Sequence, residues 1–478
     1  MNTLDIHHGG AAWHGVRRWW VAVGAAAGLC GMAPAMAGSW AAQRVLQGPF
    51  AVASVPESPH VAMNGNGHAL LAWNGTGDVR YSERVKGGAW KASRAAPGGA
   101  LGAGPVAVAI GGSEAAAIAF VTTATRYTPA KLMVTWRAAG AAFGAAVEPA
   151  PGAVAGDLRL ALDCSGTITL VWTNAVGVYS ASLPGTGVGA GAGGSAGGSA
   201  GGGAGGGAGA PADGGAAAEA QACDGQPGTA AWTAPTLVSG AGVGAALAEL
   251  AVNEAGAALA TWQAGGPGSP VSVGAAYRPA GGAWEPAQTV SAPTGLATWN
   301  PKPGLDAAGN AAVGYLDGNS MVVARRPAAG PWGAPVLVSG TQNVYYPGLA
   351  MNGAGDLVAA WLSLDASNMG AVWSSTATAG APWSAAQRLS ARAESVDWPT
   401  VAFAADGSLV VVAWTDNNTN TAKASVRVAG AWVRSNLGSG YWAGTVPVAA
   451  GGGAAVAGWA TPTSGNPNSA RLVARTWQ

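Results

Sequence analysis

Aromatic residues stand beside amides and carboxylates at one recurring place in this chain. Trp299, Tyr346, Trp398 and Trp442 each fall at or next to the entry of a short apolar segment. Loops from the same region are polar: Leu316-Asp317-Gly318-Asn319, Asp365 to Asn368, and Asp416-Asn417-Asn418-Thr419. Ring faces stack on apolar ligand surfaces, while amides and carboxylates bond hydroxyls. Such a pairing suits a sugar ring. The candidate ligand residues are Trp398, Tyr346, Trp442, Trp299, Asp365, Asp416 and Asn417. The competing account is that these rings pack between repeats, as Trp and Tyr do throughout the chain.

Covalent and metal chemistry find little support. His7, His8 and His14 lie in the first 37 residues, which leaves His60 and His68. There is no Ser-His-Asp pattern, no phosphate-cradling Gly loop and no His/Cys cluster, so no metal and no cofactor are expected. An enzyme is the less favoured class. Charged residues make up 9% of the chain and the net charge is +1. Nucleic acid and anionic membrane both require clustered Lys and Arg, which argues against either as a partner.

The elements that must position these residues are repeats. Pro347 to Trp361 joins two apolar runs of about five residues through Asn352-x-x-Gly355, with Trp361 six residues beyond the Gly. The frame recurs as Asn64–Gly67–Trp73, Asp163–Gly166–Trp172, Asn253–Gly256–Trp262 and Asp306–Gly309–Tyr315. Asn or Asp bonds its own backbone and Gly takes a positive φ, which predicts strand, tight turn, strand. A second aromatic follows in each repeat: Trp40, Trp90, Phe143, Trp232, Trp284, Trp332, Trp383 and Trp432. A third strand ending near Arg lies between the two aromatics, and a fourth begins at the outer one.

Four strands in about 50 residues, repeated, predict an all-β fold: an eight-bladed β-propeller, with seven blades as the alternative. Blade two is degenerate, with Gly111 and Glu114 in place of the Asx and Gly. Blade eight lacks a fourth strand, whereas Trp40-Ala-Ala-Gln-Arg-Val-Leu-Gln47 has that pattern and no blade of its own. The N-terminal strand is therefore expected to close the ring and remove both open edges.

Arg17-Arg18, an apolar run from Trp19 and Ala35-Met36-Ala37 read as a signal peptide over 1–37. Residues 38–478 form a single propeller domain, expected to be secreted, periplasmic or at the cell surface. No membrane span is expected once the signal is cleaved, and the domain is expected to be a monomer. Residues 184–228, nearly all Gly, Ala and Ser, read as a flexible insertion in blade three. Cys164 and Cys223 fall on connections that share one propeller face, and an even pair in a secreted chain predicts a disulfide.

Asx-x-x-Gly turns followed by Trp, in a secreted propeller, resemble the BNR or Asp-box repeats of the sialidase-like superfamily. The resemblance spans most of the chain but is architectural. The Asp-box has its Trp closer behind the Gly, and between strands three and four. It implies that Asp163 and Asp306 are turn-formers. It also raises a glycoside hydrolase, active or degenerate, as the alternative function. That activity would need three convergent Arg, a Tyr–Glu pair and an acid Asp. Here Arg84, Arg137, Arg278, Arg326 and Arg427 recur at one outer position of several repeats, which marks them as structural. The reading is a divergent, non-catalytic member: a binding or scaffold module, with a glycan or a cell-envelope protein as its partner.

Overall fold

In the regular repeats the Asx side chain closes its own turn. Asn64 Oδ1 accepts the Asn66 and His68 amides, Asp163 Oδ1 those of Ser165 and Thr167, and Asn352 Oδ1 those of Ala354 and Asp356. Gly67, Gly166, Gly256, Gly309 and Gly355 all sit at positive φ, where a Cβ is disfavoured. In blade two Glu114 takes that conformation, at φ 68°.

These turns join the strands seen in a computed structural model. It describes residues 38–51, 59–75, 77–100, 102–124, 129–153, 155–187, 223–240, 244–265, 271–291, 298–340, 343–365, 367, 369–392, 394–439, 445–463 and 466–478. The expected signal peptide, Trp442 and residues 188–222 of the insertion lie outside this set. From Ser39 to Gln478 the chain forms eight antiparallel sheets, the blades of a β-propeller. The described residues contain no helix, hence none long and apolar enough to cross a membrane.

Blade six shows the pattern, with strands Asn343–Met351, Leu357–Leu364, Gly370–Ala377 and Gln387–Arg388 in spatial order. Blade two has three strands, and its fourth is reduced to a bridge between Val134 and Val147. Blade eight is closed by the chain's own start. Arg44–Ala51 pairs antiparallel with Asn466–Trp477, and Trp40 bridges Trp477. The Arg475 guanidinium donates to the carbonyls of Trp40 and Ala41.

The core is divided among the blade interfaces. Each inner aromatic belongs to a different buried cluster, shared with the preceding blade: Trp73 against blade eight, Phe120 against blade one, and so on round to Trp459 against blade seven. All eight are at most 2% exposed. Polar ties reinforce the same seams. Asn64 Nδ2 donates to Gly111 O and Asn253 Nδ2 to Asp306 O, each in the next blade. Arg137 pairs with Glu83, Arg326 with Glu285, and Arg278 donates to Ser182 and Thr169, each in the blade before. Three of the five recurrent arginines thus hold neighbouring blades together, whereas Arg427 donates within its own turn, to Gly430 O.

Cys164 and Cys223 form a disulfide with Cα atoms 4.4 Å apart. The ends of the 184–228 segment are not loose. Thr186 N–H donates to Gln226 O, Gly187 N–H to Ser165 O, and Gly225 N–H to Cys164 O. Residues 184–187 and 223–228 are therefore a paired stem seated on the blade-three turn.

Candidate functional site

Strand one of every blade lines the central channel, and its register places one residue per blade at a common level. In blades one to seven the strand-one residue paired with the residue before the inner aromatic is His60, Ala107, Arg159, Glu249, Lys302, Gly348 and Thr400. Four of the seven can carry charge, in strands that are otherwise apolar or small. Arg159 Nε donates to Glu249 Oε2 at 2.5 Å, and Lys302 Nζ donates to Glu249 Oε1. Burial opposes ionisation of Glu249, but the Lys302 and Arg159 charges outweigh it and hold the carboxyl down at about 2. Burial, reinforced by the Arg159 charge and opposed by Glu249, lowers His60 to about 4, so it is neutral at pH 7.

Above this level blades four to seven share a bulge. Leu247-Ala248, Asn300-Pro301, Tyr346-Pro347 and Trp398-Pro399 are each two residues set against one, and that one is the inner aromatic: Trp262, Tyr315, Trp361 or Trp414. The first residue of each bulge is left-handed, at φ 55°, 51°, 47° and 47° respectively. Bulges of this kind usually place Gly there, and Asn is the next best fit. Asn300 suits the conformation. Leu247, Tyr346 and Trp398 are costly in it, at about 1–2 kcal/mol each relative to a right-handed residue.

Those costly side chains point away from the core. Leu247, Tyr346 and Trp398 are 40%, 39% and 43% exposed. The Tyr346 and Trp398 rings lie 5.2 Å apart between centroids, tilted by 33°. Together with Asn300, Glu249, Lys302, Thr400 and Thr445 they line a cavity of about 530 Å³ that opens across blades four to eight. The Trp398 bulge is braced from behind. Its amide donates to Asp397 Oδ1 at 3.1 Å, and burial raises the Asp397 pKa against that bond and one from the Asn417 side chain.

The sequence candidates separate accordingly. Tyr346 and Trp398 line the cavity. Trp299 is 45% exposed but is not in the lining. Asn417 supports Asp397 rather than facing the cavity. Asp365 spends Oδ1 on the Ser367 and Met369 amides. Asp416 is buried, accepts from Thr419 and pairs with Lys423 at 2.9 Å, so it closes its own loop. The charged level of His60, Arg159, Glu249 and Lys302 was not singled out from the sequence. Its signal was a polar residue recurring four places before the turn Asx or its equivalent. Among the described residues the one metal-ligand grouping is Cys164, Cys223 and Glu254, whose thiols are consumed by the disulfide.

No protein-family model matches the chain, and no curated protein matches it. It is similar in fold to solved structures. One is a puromycin hydrolase, at 14% identity and a TM-score of 0.46, covering 89% of this chain and 62% of that one. This chain therefore corresponds to less than two thirds of the puromycin hydrolase. A second is the Aleuria aurantia lectin in complex with Fucα1-6GlcNAc, at 11% identity and a TM-score of 0.35, covering 70% and 96%. A third is the Penicillium chrysogenum α-L-arabinanase complexed with arabinobiose, at 10% identity and a TM-score of 0.39, covering 91% and 98%. Likenesses this distant assign no activity to this chain.

Proposed function

We propose that this protein is a secreted glycan-binding propeller whose ligand seats in the cavity of blades four to eight. The observation that carries the reading is the placement of Tyr346 and Trp398. Two large rings occupy left-handed bulge positions that favour Gly or Asn, and neither is buried for it. Packing does not account for that choice, because the inner aromatics already fill the blade interfaces. Solvent-facing rings over a polar floor suit a saccharide, whose apolar faces stack and whose hydroxyls are bonded by Asn300, Thr400 and the Lys302–Glu249 pair. The Cys164–Cys223 bridge supports export to an oxidising compartment.

Glycoside hydrolysis is the weaker reading. It needs two carboxylates flanking the scissile bond, about 5–9.5 Å apart. Among the described residues of the cavity lining Glu249 is the one carboxylate, and two cations pin it in the ionised form.

A glycan array probed with residues 38–478 tests the proposal. Discrete hits, competed by the free sugar and lost in a Tyr346→Ala/Trp398→Ala variant that remains folded, are expected. An array without hits, or hits indifferent to both rings, would overturn it.

A further inference from the structure

The floor of the cavity indicates which class of glycan it takes. Each Glu249 oxygen already accepts from a cation, Oε2 from Arg159 and Oε1 from Lys302. Lys302 has donors to spare. Its ammonium has three donors, Glu249 is its one partner among the described residues, and its side chain remains 34% exposed within the cavity lining. The positive charge of Arg159 already answers Glu249 from the other side. Asp157, also near Arg159, is engaged by the Ala248 amide and the Thr173 hydroxyl and is not in the lining. The cavity therefore presents a cation with free donors, a carboxylate already paired with two cations, and two rings.

We propose that the ligand is an acidic saccharide, a uronic-acid-containing glycan, whose ring stacks on Tyr346 and Trp398 while its carboxylate is met by Lys302. This deepens the binding reading above and rests on it. A neutral sugar would meet the Lys302 donors left over from Glu249 with hydroxyls alone. A carboxylate makes a charge-assisted bond there, the stronger kind. A ligand amine would face Lys302 at close range and be repelled.

The test is an array of matched pairs: oligogalacturonate, oligomannuronate and glucuronate-containing oligosaccharides, each beside its carboxyl-reduced counterpart. For at least one pair the acidic member should bind about ten-fold or more tightly than the reduced one. Lys302→Met should erase that preference, so that the acidic and reduced members of each pair bind alike. Because this change also strips Glu249 of a partner, the intact protein provides a second readout. Raising NaCl from about 0.05 M to about 0.5 M should weaken the acidic member and spare the reduced one. Equal binding within every pair, a preference that survives Lys302→Met, or no binding to any pair would overturn the inference. Trp398-dependent binding to neutral glycans alone would overturn it while leaving the broader binding reading intact.

Discussion

Tyr346 and Trp398 come from adjacent blades, share a left-handed φ of 47° and meet at 5.2 Å, tilted by 33°, in the lining of one cavity. Each lies opposite a fully buried partner across its own hairpin, Trp361 and Trp414. Strand one thus turns outward at the point where strand two turns inward. Inner aromatics hold the blades together, and the bulged aromatics are left for a ligand.

Ring closure depends on the first strand. Leu46 and Phe50 are buried in the cluster between blades eight and one. Their burial alone is worth about 3–6 kcal/mol. Deleting Ser39 to Pro49 removes Leu46 and the strand that seats Phe50, so it should cost about that much and expose the edge of Asn466–Trp477. A chemical denaturation midpoint unchanged by the deletion would contradict this account of closure.

The disulfide should stabilise the blade-three turn. It closes a loop across 59 residues, and Cys164→Ser should lose about 2–4 kcal/mol. Reductant should lower the melting temperature of the parent to that of the variant and leave the variant unchanged. Equal melts with and without reductant would show the bridge to be absent or without effect.

The channel histidine gives stability a pH dependence. His60 stays neutral in the folded protein down to about 4, against 6.5 when unfolded. Between those values the unfolded chain binds more protons, so stability should fall as pH drops from 6.5 to 4, by about 1–3 kcal/mol. Glu249, with its pKa lowered from 4.5 to about 2, adds a separate loss only below pH 4.5. His60→Gln should flatten the upper window and leave the lower one. Identical slopes in parent and variant between pH 6.5 and 4 would show that another group titrates there.

Glu114 marks a repairable defect. It holds the left-handed place that Gly fills in other turns, and its carboxylate reaches His68 Nδ1 at 3.2 Å. That contact is partly exposed and worth little. Glu114→Gly should therefore raise stability by about 0.5–1 kcal/mol. A destabilised variant would mean that the His68 contact outweighs the strain.

Much of the architecture was legible because the repeat writes the same chemistry many times. The Asx turns, the inner aromatics and the orphan strand at Trp40–Gln47 give the blade count and the closure. Blade two misled in one respect. Phe143 promised a full fourth strand, but only the Val134–Val147 bridge forms. The rim was half legible. Tyr346 and Trp398 could be placed at the strand entry, but alternation alone cannot distinguish a ring in a bulge from a ring in a core. That distinction lies in φ, which the following Pro347 and Pro399 only hint at. The charged level was legible in principle, since Arg159, Glu249 and Lys302 hold one register position in apolar strands. Asp365 and Asp416 close their own turns, as loop carboxylates often do, and sequence alone does not separate that role from facing a ligand.

The account turns on whether the rim rings serve a ligand at the expense of the fold. Tyr346→Asn/Trp398→Asn tests this directly, because Asn fits the left-handed bulge and removes both rings. The measurement is the thermal melt of this double variant beside Trp361→Ala, with each scored for glycan binding. Trp361→Ala should lose about 3–5 kcal/mol, as a truncated core aromatic does. The Asn double variant should melt at or above the parent, gaining up to about 1 kcal/mol per site from relieved strain, and should bind no glycan. If it melts as low as Trp361→Ala, or binds as the parent does, the rings are packing elements and the cavity is not the binding site.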